Sequence, residues 1–143
     1  MSNSVGLIIF FRNKYLVQKR DIKKNIYFPG IFGLFGGKCL KNETPKNAIK
    51  REIKEELNIY PLSVHQFLKI KFNTKVLSNR TRTYFFYKLE EKLKKKIFLK
   101  EGKSYHFYDI KKIKLIKFVP WDLAALLYYH FHILKKEQVK PEK

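Results

Sequence analysis

Between Gly37 and Ile59 the chain spells out a helix with both ends marked. Thr44-Pro45 is a start signal. Threonine offers a side-chain oxygen to the first free amides, and proline at the first helical position already has its φ set. The helix is expected to run to about Leu57. Asn58 tolerates the left-handed conformation of a helix end, and Pro61 forbids continuation. Ile49, Ile53 and Leu57 recur at i, i+4 and i+8, an apolar stripe that needs a sheet to pack on. Glu52, Glu55 and Glu56 stand beside that stripe, within roughly a third of the circumference. Like charges at this spacing cost a helix a few tenths of a kcal/mol per pair, so stability alone would spread them. A hard divalent cation removes the conflict. Mg²⁺ or Mn²⁺ suits such carboxylates and takes its remaining ligands from water and a substrate phosphate. Lys46, Lys50 and Lys54 form a separate i+4 row that reads as solvated.

Around this helix the pattern is that of a mixed sheet. Val5–Phe11 and Tyr15–Lys19 are strand-like runs joined by Arg12, Asn13 and Lys14, a hairpin signal. Residues 20–36 read as a loop punctuated by Pro29, Gly30, Gly33 and Gly36, with Gly36-Gly37 opening a second turn. Strands are expected near Phe67–Phe72, Thr83–Leu89 and Tyr105–Tyr108. Glu90–Lys96 reads as loop or short helix, and Ile110–Ile116 fits neither pattern well. Pro120 opens a last helix from Trp121 to about Lys135, with an apolar stripe through Leu123, Leu126, Leu127 and His130. Asp122 fits the first turn of that helix as an acid that favours the dipole. The expectation is one domain over residues 1–135 and a frayed tail over 136–143. Strands and helices mix without regular βαβ alternation, which gives an α/β (α+β) class.

Composition narrows the function. The 143 residues carry one cysteine, which excludes an internal disulfide and a multi-cysteine zinc site. No apolar run approaches the roughly 18 to 20 residues of a membrane span, and the opening run has no signal-peptide flanks. The cytoplasm is therefore the expected location and no membrane partner is expected. The net charge is +20, from 27 Lys and 5 Arg against 12 acids. Proteins that read nucleic acid lean on arginine, so a solvated lysine surface is the first reading and a polyanionic partner the second.

Taken as a pattern, the helix and its approach read Gly37, five residues, Glu43, seven residues, Arg51-Glu52-Ile53, one residue, Glu55-Glu56, one residue, Asn58-Ile59. This resembles the Nudix box, the signature of the Nudix hydrolase family, which has glycine where this chain has Asn58. Asparagine is the next-best residue for a left-handed helix end, so the departure is mild. Phe28-Pro29-Gly30 and Phe32–Gly37 look like the family's approach to the box. Glu101-Gly102 and Val119-Pro120 look like the tail of small MutT-like members.

The resemblance implies a Nudix α/β/α sandwich, with a mixed sheet between the box helix and a C-terminal helix. It implies metal-dependent hydrolysis of a nucleoside diphosphate linked to another moiety. Carried over by position, Glu52, Glu55 and Glu56 hold the metal, with the Gly37 carbonyl a further ligand. Arg51 holds the array through an ion pair with Glu43. The base that takes a proton from water is Glu55, Glu56 or, outside the box, Glu101. Substrate contacts fall to Arg20, Phe28, Phe35 and Gly36, with Phe32, Tyr84 and Phe86 as further stacking candidates and Arg12, Arg80 and Arg82 as further cations. The expected substrate is a (deoxy)nucleoside triphosphate, as for MutT, or a nucleotide sugar. The alternatives are an RNA 5′-end pyrophosphohydrolase and a non-catalytic nucleotide-binding module. The pattern leaves room for a homodimer.

Overall fold

The computed structural model describes residues 3–20, 30–61, 63–73, 75, 79–99 and 104–136. Its centre is β1 (Ser4–Phe11), which lies parallel to β6 (Arg80–Lys88) in the register Val5 to Thr83 through Phe10 to Lys88. Val5, Leu7 and Ile9 are buried towards one face of the sheet and Ile8 towards the other. A strand covered on both faces needs a near-continuous apolar run, and β1 has one. β5 (His65–Phe72) pairs antiparallel with the far side of β6 and forms that edge.

β2 (Lys14–Lys19) returns from β1 through Arg12 and Asn13, at φ 48° and 63°. Two successive left-handed residues make the tight turn that matches strand twist. Lys14 therefore belongs to the strand and not to the turn. The two strands then diverge, and the wedge between them is filled by β3 (Phe32–Gly33) and β4 (Phe35–Lys38). β3 pairs with β2, and β4 pairs with β1. On its other side β2 carries β7 (Ser104–Tyr108).

The expectation of a loop to residue 36 and a turn at Gly36-Gly37 is thus corrected. Both glycines lie in β4, and each is there for want of a side chain. A Cβ at Gly36 would fall on the Val5 carbonyl oxygen of β1, and one at Gly37 would fall inside the Glu52 carboxylate.

The box helix is α1 (Pro45–Leu57), with ends as expected. Thr44 Oγ1 accepts from the Asn47 amide at 3.2 Å, and Asn58 sits at φ 58°. Ala48, Ile49, Ile53 and Leu57 are buried against Val5, Leu7, Ile9, Leu16, Phe35 and Phe85. Two short helices follow, α2 (Glu91–Lys94) and α3 (Ile110–Ile113). Asp109 caps the second, accepting from the Lys112 amide at 2.9 Å.

α4 (Pro120–Tyr128) covers the opposite face of the sheet and continues as a π-helical segment, Tyr129–Leu134. Its buried side is Asp122, Ala125, Leu126 and Tyr129. Of the expected stripe through Leu123, Leu126, Leu127 and His130, Leu126 is fully buried and the other three are half-buried, because the stripe is led by the buried Asp122 and runs on through Ala125 and Tyr129. The result is the expected α/β/α sandwich. No helix among the described residues is long and apolar enough to cross a membrane.

Candidate active site

α1 presents its carboxylates to β4 and to the loop before the helix. Glu52 packs so closely on Gly37 that only glycine leaves room for it. Arg51 organises the group. Its Nε donates to Glu43 Oε2 at 2.8 Å and its Nη2 to Glu43 Oε1 at 2.9 Å, a bidentate pair. Nη1 donates to Glu52 Oε1 at 3.0 Å and more loosely to Glu55 Oε2 at 3.3 Å. Nη2 also donates to the Lys38 carbonyl at 2.9 Å. A guanidinium has about five N–H donors, and each has an acceptor here. A lysine at position 51 has neither the donors nor the planar fork for this. Glu43 in turn accepts from the Leu40 amide at 2.9 Å, which closes the loop over the pair.

The electrostatics follow the geometry. The Arg51 hydrogen bonds and the Leu40 amide hold the Glu43 carboxyl at about 2, against 4.5 normally. A depressed carboxylate adds stability above the unfolded-state pKa and loses it as pH falls through the folded value. The Glu43–Arg51 pair should therefore stabilise the fold fully above about pH 4.5 and fail progressively towards pH 2. Glu43→Gln is expected to flatten the acid limb of the melting-temperature profile over that window. An unchanged slope would mean that the pair contributes nothing to folding.

Burial pushes the Glu52 carboxyl above the usual range; Arg51 pulls it down, while Glu55 and Glu56 push it up. Glu52 is thus a half-buried acid in need of positive charge.

The donor set fits a divalent metal. Among the described residues no group of three His, Cys, Asp or Glu side chains closes up to hold an ion unaided. The site instead offers hard carboxylate oxygens on one helix side, held by Arg51 and backed by a glycine strand. A hard divalent cation held there would take its remaining oxygens from water and phosphate.

The remaining expected site residues separate. Phe35 is fully buried in the α1-side core, so its ring is not available to stack on a base; pairing with Leu7 of β1 aims it there. Tyr84 is also fully buried. Gly36 lies within the β1–β4 pairing, opposite Gly6. Arg20 follows directly on β2, its amide donating to the Ile31 carbonyl at 2.8 Å and its side chain lying beside Gly33. Phe28 and Glu101 lie outside the described residues.

One cluster is not announced by the sequence. Asp122 is 1% exposed and accepts from Tyr84 Oη at 2.6 Å and Arg82 Nε at 3.0 Å on one oxygen. Its other oxygen accepts from the Leu34 amide at 3.0 Å. Leu34 is where the chain leaves β2 for β1, and Gln18 Nε2 donates to its carbonyl at 3.1 Å. Side chains thus satisfy the backbone at the one point where neither strand does. The signal that could have found the cluster is Asp122 at i−3, i−4 and i−7 from Ala125, Leu126 and Tyr129. An acid leading a buried stripe demands partners.

Fold and site together define a Nudix hydrolase domain. The NUDIX domain model matches residues 2–129, and the chain belongs to that family. It is 32% identical over 117 residues to an 8-oxo-dGTP diphosphatase of Buchnera aphidicola subsp. Schizaphis graminum, covering 82% of this chain and 84% of that one. It is 34% identical over 86 residues to an 8-oxo-dGTP diphosphatase of Haemophilus influenzae, a match that spans 57% of this chain and 55% of that protein. The solved MutT protein of Methanosarcina mazei Go1 superposes with TM-score 0.70 at 20% identity, covering 97% of this chain and 96% of that one. Nudix hydrolases as a family use a divalent metal and act on nucleotides.

Proposed function

We propose that this chain is a Mg²⁺-dependent pyrophosphohydrolase of nucleoside triphosphates, with 8-oxo-dGTP and dGTP the first substrates to try. The observation that carries the reading is the Glu52–Glu55–Glu56 face, with Glu52 seated on Gly37 and Arg51 clamped to Glu43. The names of the two similar diphosphatases support the choice of substrate.

Glu52, Glu55 and Glu56 hold the metal in this reading, with the Gly37 carbonyl beside them. When bound, the metal polarises phosphate oxygens and acidifies a bound water. Arg51 keeps Glu52 in place and supplies the positive charge that lets the cluster form. Water adds to a phosphorus of the triphosphate as the P–O bond to the leaving phosphate oxygen breaks, giving a nucleoside monophosphate and pyrophosphate. The proton from that water goes to Glu55, Glu56 or Glu101. Arg20, at the end of β2, is the cation assigned to the substrate, and Phe28 remains the ring assigned to the base. Residues 1–135 act as one domain, and the cytoplasm is its proposed location.

The test is a panel of nucleoside triphosphates, oxidised dGTP, nucleotide sugars and 5′-triphosphate RNA in Mg²⁺, with products resolved by mass. A monophosphate and pyrophosphate from a triphosphate are expected. Silence across the panel in both Mg²⁺ and Mn²⁺ would overturn hydrolysis, and a preferred nucleotide sugar or RNA would overturn the substrate.

A further inference from the structure

α1 separates two chemically opposite flanks. Arg51 and the three glutamates occupy one. Lys46, Lys50 and Lys54 occupy the other, about 6 Å apart along the helix axis. Among the described residues Lys54 Nζ donates only to a neutral oxygen, Asn58 Oδ1, at 3.2 Å.

The basic flank continues onto the segment after α2. The Phe98 amide donates to the Leu57 carbonyl at 3.0 Å, which straps that segment to the last turn of α1. Leu93 of α2 and Ile97 and Leu99 of the strap pack on the α1-side core. Lys95, Lys96 and Phe98 face outward between them. Tyr60 lies three residues past Leu57. Phe98 is 70% exposed and Tyr60 is 54% exposed. Among the described residues no ion pair involves Lys46, Lys50, Lys54, Lys95 or Lys96. Of the acids that start α2, Glu91 is already paired with Arg12 at 3.0 Å.

Two exposed aromatic rings therefore belong to the segments that meet the last turn of α1, Tyr60 three residues past Leu57 and Phe98 on the strap bonded to Leu57, and the lysine row of α1 has no counter-charges among the described residues. Lysines alone fit any polyanion, and solvation alone explains them. Rings left in water beside them fit a ligand that carries flat bases as well as phosphates, since base–ring stacking tolerates any sequence. We propose that this face binds single-stranded nucleic acid, with phosphates along Lys46, Lys50, Lys54, Lys95 and Lys96 and bases on Tyr60 and Phe98. The surface lies on the far side of α1 from the carboxylates, so the proposal stands apart from the catalytic reading.

The experiment is fluorescence anisotropy of a 5′-fluorescein RNA of about 12 nucleotides, titrated with the full chain over a range of salt. The probe has no 5′-triphosphate and is not a hydrolysis substrate. Binding is expected to weaken steeply with salt. Replacing Lys50, Lys54, Lys95 and Lys96 together by Gln should lower the log–log salt slope by about 0.7 for every phosphate no longer neutralised. Tyr60→Ala with Phe98→Ala should weaken binding by about thirtyfold or more with the slope unchanged. Both variants should keep the nucleotide hydrolysis of the parent chain, which reports that they fold. Lack of RNA binding would overturn the proposal. So would variants that bind RNA as the parent does, or a ring variant whose weaker RNA binding is matched by an equal fall in heparin binding.

Discussion

Glu52→Gln is expected to lower kcat by about a thousandfold while leaving the fold as stable as before, or more so. The two halves of that result have one cause. Glu52 is the carboxylate that Gly37 makes room for, half-buried between the helix and β4. Its burial raises the cost of its charge, and Glu55 and Glu56 add repulsion. The neutral amide removes both costs and keeps an oxygen for Arg51 Nη1. It also removes the negative charge that a divalent cation requires. A thousandfold loss is about 4 kcal/mol of transition-state stabilisation. Steady-state kinetics on the preferred nucleotide and a thermal melt of the same preparation measure both. A kcat within about tenfold of the parent would remove Glu52 from the metal site. A large drop in melting temperature would mean that its charge is structural. Sites that trade stability for function show this pairing of effects.

The legible and illegible parts of the sequence divide along a physical line. α1 is legible end to end, because its start, stop and stripe are local signals: Thr44-Pro45, Asn58, and Ile49 with Ile53 and Leu57. The Arg51–Glu43 pair is legible from the motif, and the guanidinium makes that bond. β3 and β4 are not. They are two and four residues long, and their partners come from segments remote in sequence: β2 and the backbone of Lys117 and Val119 for β3, and β1 for β4. The glycines that signal a turn are glycines for clearance, which depends on residues remote in sequence. Asp122 misleads for the same reason. At the start of a helix an acid has a sufficient local explanation, and its partners Arg82, Tyr84 and Leu34 are 38 to 88 positions away. Phe35 is ambiguous because aromatic rings near a glycine loop serve either a base or a core. Pairing with Leu7 decides it for the core.

Asp122→Ala should be the most destabilising of these substitutions, at about 3 to 5 kcal/mol. One carboxylate serves three donors there: Arg82, Tyr84 and the Leu34 amide. Its removal leaves a largely buried guanidinium without its counter-charge, a buried phenol without its acceptor, and an unpaired amide at the β3–β4 switch. Asp122→Asn should cost less, since an amide oxygen still accepts, though the charge on Arg82 goes unmatched. The pairing is separable from the packing. In Arg82→Met with Asp122→Leu the Arg82 charge is not stranded, so the double variant should be more stable than Asp122→Ala, with the unpaired Leu34 amide, the Tyr84 hydroxyl and the Arg20 charge that Asp122 favours as the remaining deficit. Chemical denaturation of the three variants gives the comparison. If Asp122→Ala lost less than about 1 kcal/mol, water would be reaching Arg82 and the network would be dispensable. The same experiment bears on the site. Asp122 ties α4 to the strand that leads directly into Gly36 and Gly37, so its loss should also raise KM through a loosened β4. The carboxylates of α1, held by Arg51 from the other face of the sheet, should keep their own arrangement.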